Sequence, residues 1–285
     1  MSGEESDDNA EIISSGGAKS SSDEESDNPS EYDNASNAEG DASHWFFRKR
    51  FNQNHLLFEW KDPESAGDDR VIFMYQEDLD SLLPDGLLTG TVLDYFIYRY
   101  MAGVQGLVCA CGSGMYLAME TARYTRKSTR KTRLLEELIA QRDWTSYKYL
   151  ILPVSGRNHW SFLVLENVMN SEPTKVYHVN SLKNAHSPDY AFDVVNWFLS
   201  RLHEKKMLPP FQWSTFIHNM KPQQSNTLDC GVYALYYMDF ISKKISVEKP
   251  DSVQQNMALW ATGGLNVTKA GVYRSQLYNR ISLGP

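Results

Sequence analysis

The stretch Pro222-Gln223-Gln224-Ser225-Asn226-Thr227-Leu228-Asp229-Cys230-Gly231 decides how this chain is read. A polar loop ends on a cysteine, and the mostly apolar run Gly231 to Ile241 that follows predicts a helix opening at Cys230. Free backbone N–H groups and the positive end of the helix dipole stabilise a thiolate at that position, which favours a nucleophile. Gly231, with no Cβ, lets another backbone approach the sulfur closely.

Working outward, the second informative stretch is Asn158-His159-Trp160, at the head of an apolar strand. A single cysteine at a helix start is ordinarily a small core residue, and a single histidine beside a tryptophan is ordinarily structural. Together, and in this order, they form the pattern of a Cys-His peptidase. Around them three apolar runs predict buried strands, at Tyr147 to Val154, Trp160 to Leu165 and Lys175 to Val179. Helices are expected at Val92 to Met101, Met115 to Ala122, Leu134 to Gln141, along the stripe Phe192, Val195, Phe198, Leu199 and Leu202, and near Tyr273 to Ile281. Val71 to Tyr75 reads as an edge segment and Trp213 to Ile217 as a further strand. Mixed elements with the strands clustered centrally give an α+β domain.

The 285 residues carry a formal charge of −8 and three cysteines. Three thiols cannot make a disulfide framework or a closed four-thiolate zinc site, which excludes a stapled secreted scaffold. Cys109-Ala110-Cys111 has poor spacing for a metal, so neither metal nor cofactor is expected. The charge is unevenly spread. Residues 1–43 hold 13 acidic groups, 11 serines and one lysine, a net of −12, and read as a disordered acidic tail. Residues 44–285 carry +4 and are expected to form one domain. Met101 to Met119 is uncharged but broken by glycines, so it reads as a loop joining two helices, not a membrane span. Arg123, Arg126, Lys127, Arg130, Lys131 and Arg133 form a basic patch, most simply a solvated face.

With these motifs in view, the chain resembles the ubiquitin-like-protein-specific cysteine proteases, the SUMO/sentrin or Ulp type. The resemblance covers residues 70–243 best, through Leu150-Ile151-Leu152-Pro153-Val154, His159 to Val164 and Gln223 to Tyr233, with a weaker echo at Tyr273 to Leu277. Val71 to Tyr75 followed by Asp80-Ser81-Leu82-Leu83 looks most like the deneddylating branch. The resemblance implies a papain-like α+β fold, a central mixed sheet flanked by helices, with the nucleophile at the start of a buried helix. It implies Cys230 as nucleophile, His159 as general base or preformed imidazolium, and Gln224 with the Cys230 N–H as oxyanion donors. Trp160 would wall a tunnel for a diglycine tail. The implied activity is cleavage after the diglycine of a SUMO-type or neddylation modifier, from target lysines or from its precursor. A deubiquitinase, an acyltransferase and a weakly active modifier-binding pseudoprotease are the alternatives on the same scaffold. The implied partners are the modifier and its conjugates, with no membrane and no nucleic acid, for a monomer of the nucleus or cytoplasm.

Two positions depart from the family pattern. Asn180, in Tyr177-His178-Val179-Asn180-Ser181, stands where the family has aspartate. Its oxygen is expected to accept the Nδ1–H of His159 without supplying charge; Asp189 or Asp193 would be the substitutes, and His178 a competing imidazole. Leu87-Leu88-Thr89-Gly90 stands where the family commonly has Trp-Leu-Asn-Asp, leaving Leu87 at the substrate-binding position of the missing wall.

Overall fold

Side-chain alternation along β4 (Tyr147–Gly156), β5 (His159–Glu166) and β6 (Thr174–Asn180) divides the molecule into two apolar layers. Tyr149, Ile151, Phe162, Val164, Tyr177 and Val179 face one way; Leu150, Leu152, Val154, Leu163, Leu165 and Val176 face the other. Both faces being buried, the strands read as continuous apolar runs. The computed structural model describes residues 55–62, 71–101, 103–144, 146–168, 172–210 and 212–284. The acidic segment 1–43, and with it the expectation of disorder, lies outside the described residues.

The remaining elements are β1 (Leu56–Lys61), β2 (Val71–Tyr75), α1 (Gln76–Asp80), α2 (Gly90–Tyr100), β3 (Gly106–Ala110), α3 (Gly114–Tyr124), α4 (Ser128–Ala140), α5 (Pro188–Lys205), β7 (Trp213–Asn219), α6 (Cys230–Glu248), α7 (Met257–Trp260) and α8 (Val267–Ser282). The five-stranded sheet has the order β3-β4-β5-β6-β7. Its two outer pairings are parallel and its two inner ones antiparallel, so the sheet is mixed. Helices α2, α6 and α8 contribute to the core on one face, and α3, α4 and α5 to the core on the other. Helix α6 is buried without a break from Cys230 to Leu235, which is why its sequence is apolar all round.

Four expectations change. The segment Met101 to Met119 holds a strand, β3, whose pairing with β4 runs from Gly106↔Tyr147 to Ala110↔Ile151. Glycines on both sides of its short apolar core hid it. Helix α4 begins at Ser128, not Leu134; its basic first half lacks the apolar periodicity that would mark it in the sequence. Helix α8 begins at Val267, where the side chain of Asn266 caps it by accepting the Lys269 N–H at 2.9 Å. Val71 to Tyr75 pairs with β1 in a separate two-stranded ribbon. Pro153 fits inside β4 because the pairing with β3 ends at Ile151, leaving no β3 partner for its missing N–H. Among the described residues no helix is long and apolar enough to cross a membrane.

Candidate functional site

The two-residue turn Arg157-Asn158 joins β4 to β5 with both residues at positive φ, 49° and 56°. That left-handed pair suits a tight hairpin and makes His159 the first residue of β5, opposite Gly156. The backbone N–H of the next residue, Trp160, points to the Cys230 sulfur. The head of β5 and the start of α6 therefore meet at the thiol.

His159 is 6% exposed, and its Nε2 lies 2.8 Å from Asn180 Oδ1, at the end of β6. The expected contact through Nδ1 is thereby corrected: Nε2 carries the proton to Asn180, and Nδ1 is left for the thiol. Asn180 Oδ1 also accepts the Leu182 N–H at 3.1 Å, so its oxygen is fixed from two sides. Asp193 is paired with Arg123, and Asp189 lies in the first turn of α5. His178 faces away, with Nε2 2.9 Å from Ser161 Oγ and its ring against Phe192.

Gln224 reaches the site through Ser181, the residue after Asn180. Ser181 Oγ donates to Gln224 Oε1 at 2.6 Å, and the Gln224 N–H donates to the Ser181 carbonyl at 3.0 Å. The Gln224 Nε2 gives one hydrogen to the Asn226 carbonyl at 2.7 Å, which leaves its second for another acceptor. Asn226 Oδ1 accepts the N–H groups of Leu228 and Asp229, both at 2.9 Å, and shapes the turn into α6. No side chain caps α6, so its first N–H groups remain directed at the sulfur and whatever binds there.

Arg274, on α8, holds this turn from behind. Its Nε and Nη2 donate to Asp229 Oδ1 at 3.2 and 2.8 Å, and Nη2 also donates to the Leu228 carbonyl at 3.0 Å. Its Nη1 donates to the carbonyls of Ser81, Leu83 and Gly86. The sequence marks Tyr273 to Leu277 only as a weak echo of the family, and Arg274 stands there beside Ser275 and Gln276 with nothing local to signal its burial.

Burial sets the electrostatics. It pushes the Cys230 thiol above its ordinary range, against the opposing pull of the Trp160, Gly231 and Cys230 N–H groups and the Arg274 charge. It pushes the His159 imidazole below its ordinary value, partly offset by Asn180. Burial thus opposes the thiolate that the helix start favours, and it opposes protonation of the imidazole as well. Over the mouth, Trp160 Nε1 donates to the Leu88 carbonyl at 2.9 Å, and the Cys230 residue is 0% exposed. Leu88, not Leu87, packs against the helix start; Leu87 is 39% exposed. Among the described residues no cluster of three or more His, Cys, Asp or Glu side chains is arranged to hold a metal. Cys109 accepts a hydrogen bond from Arg142, and in the basic patch Arg133 pairs with Glu137 while Lys131 lies over the Trp197 ring.

A thiol at the head of a buried helix, met by the backbone of the residue after a histidine whose Nε2 meets an asparagine oxygen, is the arrangement of a papain-like cysteine peptidase. A model of the Ulp1 protease family, C-terminal catalytic domain, matches residues 94–259, and the chain belongs to that family. It is 21% identical over 232 residues to the probable ubiquitin-like-specific protease 2A of Arabidopsis thaliana, covering 67% of this chain and 28% of that protein. It is 22% identical over 102 residues to ubiquitin-like protease 4 of Caenorhabditis elegans, covering 35% of this chain and 27% of the relative. The chain thus spans under a third of either curated relative. Among solved structures, a de-sumoylating protease superposes with a TM-score of 0.60 at 16% identity, covering 79% of this chain and 90% of that one. The Ulp1 protease domain in complex with Smt3, the yeast ortholog of SUMO, gives 0.51 at 15%, covering 86% and 94%. These two matches establish the likeness of fold.

Because burial opposes ionisation of both thiol and imidazole, alkylation of Cys230 by iodoacetamide is expected to gain most above pH ~8.5, the ordinary thiol range. A flat, fast rate from about pH 5 would instead mark a preformed thiolate. Arg274→Ala is expected to cost about 3–5 kcal/mol in urea unfolding, because it leaves the Asp229 carboxylate buried and unpaired. An unfolding midpoint equal to that of the unaltered protein would show that the pair does not hold the turn.

Proposed function

We propose that this domain is a thiol isopeptidase that cleaves after the C-terminal diglycine of a ubiquitin-like modifier, releasing it from target lysines or from its precursor. The observation that carries the proposal is the closeness of Leu88 and Trp160 over the start of α6. A Cβ built on Gly231 would lie 2.7 Å from Leu88 Cβ and 3.2 Å from Trp160 Cδ1. Leu88 and Trp160 thus crowd the first turn of α6 beside the sulfur, and in this reading a tail that reaches it runs against both, where residues without Cβ atoms fit best. The names of the relatives, which describe proteases of ubiquitin-like proteins, support the same substrate class. They favour a SUMO-type modifier over the neddylation modifier.

In this reading Cys230 attacks the carbonyl of the terminal glycine as its proton passes to His159 Nδ1. The tetrahedral oxyanion accepts hydrogen bonds from the free Gln224 Nε2–H and the Cys230 N–H. Collapse expels the lysine amine, protonated by His159, and leaves a thioester that water hydrolyses. Asn180 holds the imidazole in the Nε2–H tautomer throughout. Nothing in this cycle requires a cofactor. Monomeric action in the nucleus or cytoplasm belongs to the same proposal.

C-terminally electrophilic forms of SUMO, the neddylation modifier and ubiquitin test it directly, with Cys230→Ser as control. A Cys230-dependent adduct with SUMO is expected. Adducts with ubiquitin alone would reassign the substrate, and none with any probe would leave a modifier-binding pseudoprotease. Asn180→Asp is expected to keep turnover or raise it, by up to about tenfold for one unit of imidazole pKa, because it adds a charge that stabilises imidazolium. A large loss of rate with folding intact would show that Asn180 is not the orienting group.

A further inference from the structure

The imidazole of His186, in the turn before α5, stands against the His159 ring, with centroids 4.7 Å apart and planes at 78°. His186 is itself tightly held. Its Nε2 lies 2.8 Å from the Gly156 carbonyl, which can only accept, so Nε2 carries the proton. Its Nδ1 is then a bare acceptor, 2.8 Å from Ser161 Oγ. Ser161 donates its one hydrogen there and accepts from His178 Nε2 at 2.9 Å. The chain of bonds therefore has a single direction, from His178 through Ser161 to His186 and on to Gly156. Gly156 is the cross-strand partner of His159 across the Arg157-Asn158 turn. One side chain thus grips the hairpin that presents His159 and also packs on its ring.

We propose that His186 is a positioning residue for His159, holding its ring plane and keeping water from it at a site where the third member is an uncharged asparagine. Asn180 offers His159 a single neutral hydrogen bond, and its oxygen is shared with the Leu182 N–H. One such bond fixes a nitrogen, but leaves the ring free to pivot about it. His186 removes that freedom. Ser161 lies fully buried on β5, and its hydroxyl sets the tautomer of His186. Burial keeps both supporting imidazoles neutral, His186 with its pKa lowered to about 4 and His178 to about 3. The support therefore adds no positive charge beside the imidazolium that forms in the cycle. The groups facing His186 are His159, Ser161, the Gly156 carbonyl and the charge of Arg157; those facing His159 are Asn180, His186, the more distant His178 and, in the proposed reading, the Cys230 thiol of α6.

This inference rests on His159 acting as the base for Cys230, so its test avoids any modifier. Acylation of Cys230 by p-nitrophenyl acetate needs the same proton transfer: the sulfur bonds to the acetyl carbon, p-nitrophenolate leaves, and the thiol proton passes to His159. In full-length His186→Ala the acylation rate is expected to fall about 10- to 100-fold, the scale of a misplaced group. The acid limb of its pH profile is expected to rise toward the ordinary imidazole value near ~6.5, because water reaches a ring that burial had held lower. Histidine ring NMR titration should show the same rise for His159. His186→Phe, which keeps a ring against His159, should leave the limb and the titration in place and stay within about tenfold of the starting rate. If His186→Ala does not fold, His186→Gln removes the ring while retaining a donor for Gly156, and carries the same expectation. An unmoved His159 titration in the Ala or Gln variant would overturn the proposal, as would equal losses in the Ala and Phe variants. Failure of every modifier probe, by contrast, would leave this result standing and remove only the substrate assignment.

Discussion

The guanidinium of Arg274 ties together three segments that the chain separates widely. It donates to carbonyls at Ser81, Leu83 and Gly86, to the Leu228 carbonyl, and to the Asp229 carboxylate directly before the candidate nucleophile. The side chains of Arg274 and Asp229 are 4% and 10% exposed, so each depends on the other for its charge to be tolerated. Arginine suits this place because its planar fork supplies several donors in fixed directions. Without it, the buried Ser81 carbonyl and the Asp229 Oδ1 would lose this donor inside the core. The wall at Leu88 and the start of α6 inherit their relative position from this one side chain.

A second constraint follows from burial. The sheet places His159 and Asn180 at the ends of neighbouring strands, and α6 brings Cys230 up beneath Trp160, so the reacting groups sit largely out of water. Exclusion of water strengthens every hydrogen bond at the thiol, but it also penalises separated charge. The penalty on charge outweighs the hydrogen bonds at both groups, raising the thiol and lowering the imidazole. In the proposed cycle this postpones proton transfer from the resting state to the moment of attack, when the oxyanion donors gain their target.

The central strands were legible because both faces of the sheet are buried and their apolar runs are continuous; α6 was legible for the same reason. The strand β3 was not, since its few apolar residues lie between glycines and only its pairing with β4 defines it. At the site, Cys230, His159 and Gln224 stood out because chemistry ties them to local sequence context. Ser181, Ser161 and His186 did not. Their roles come from contacts across strands and turns, and nothing in the residues beside a buried serine announces which imidazole it will meet. The nitrogen by which His159 meets Asn180 was likewise misjudged, because it depends on the direction from which β6 approaches the ring.

Asn180 reads differently once these surroundings are known. At 3% exposure, a carboxylate in its place would need a compensating positive charge. The nearby buried cation, Arg274, is already matched by Asp229, and the neighbouring imidazoles of His178 and His186 are held neutral. Among the described residues the partner left would be His159 itself, drawn to its protonated form. An aspartate would thus draw the site toward an ion pair at rest, a pull that the asparagine does not exert. With burial already opposing ionisation of both Cys230 and His159, the amide agrees with the rest of the site. What it gives up is the stabilisation of the imidazolium after proton transfer. That deficit falls on the geometry: the closer His159 is held to its productive orientation, the less the transient charge must move to find the leaving amine.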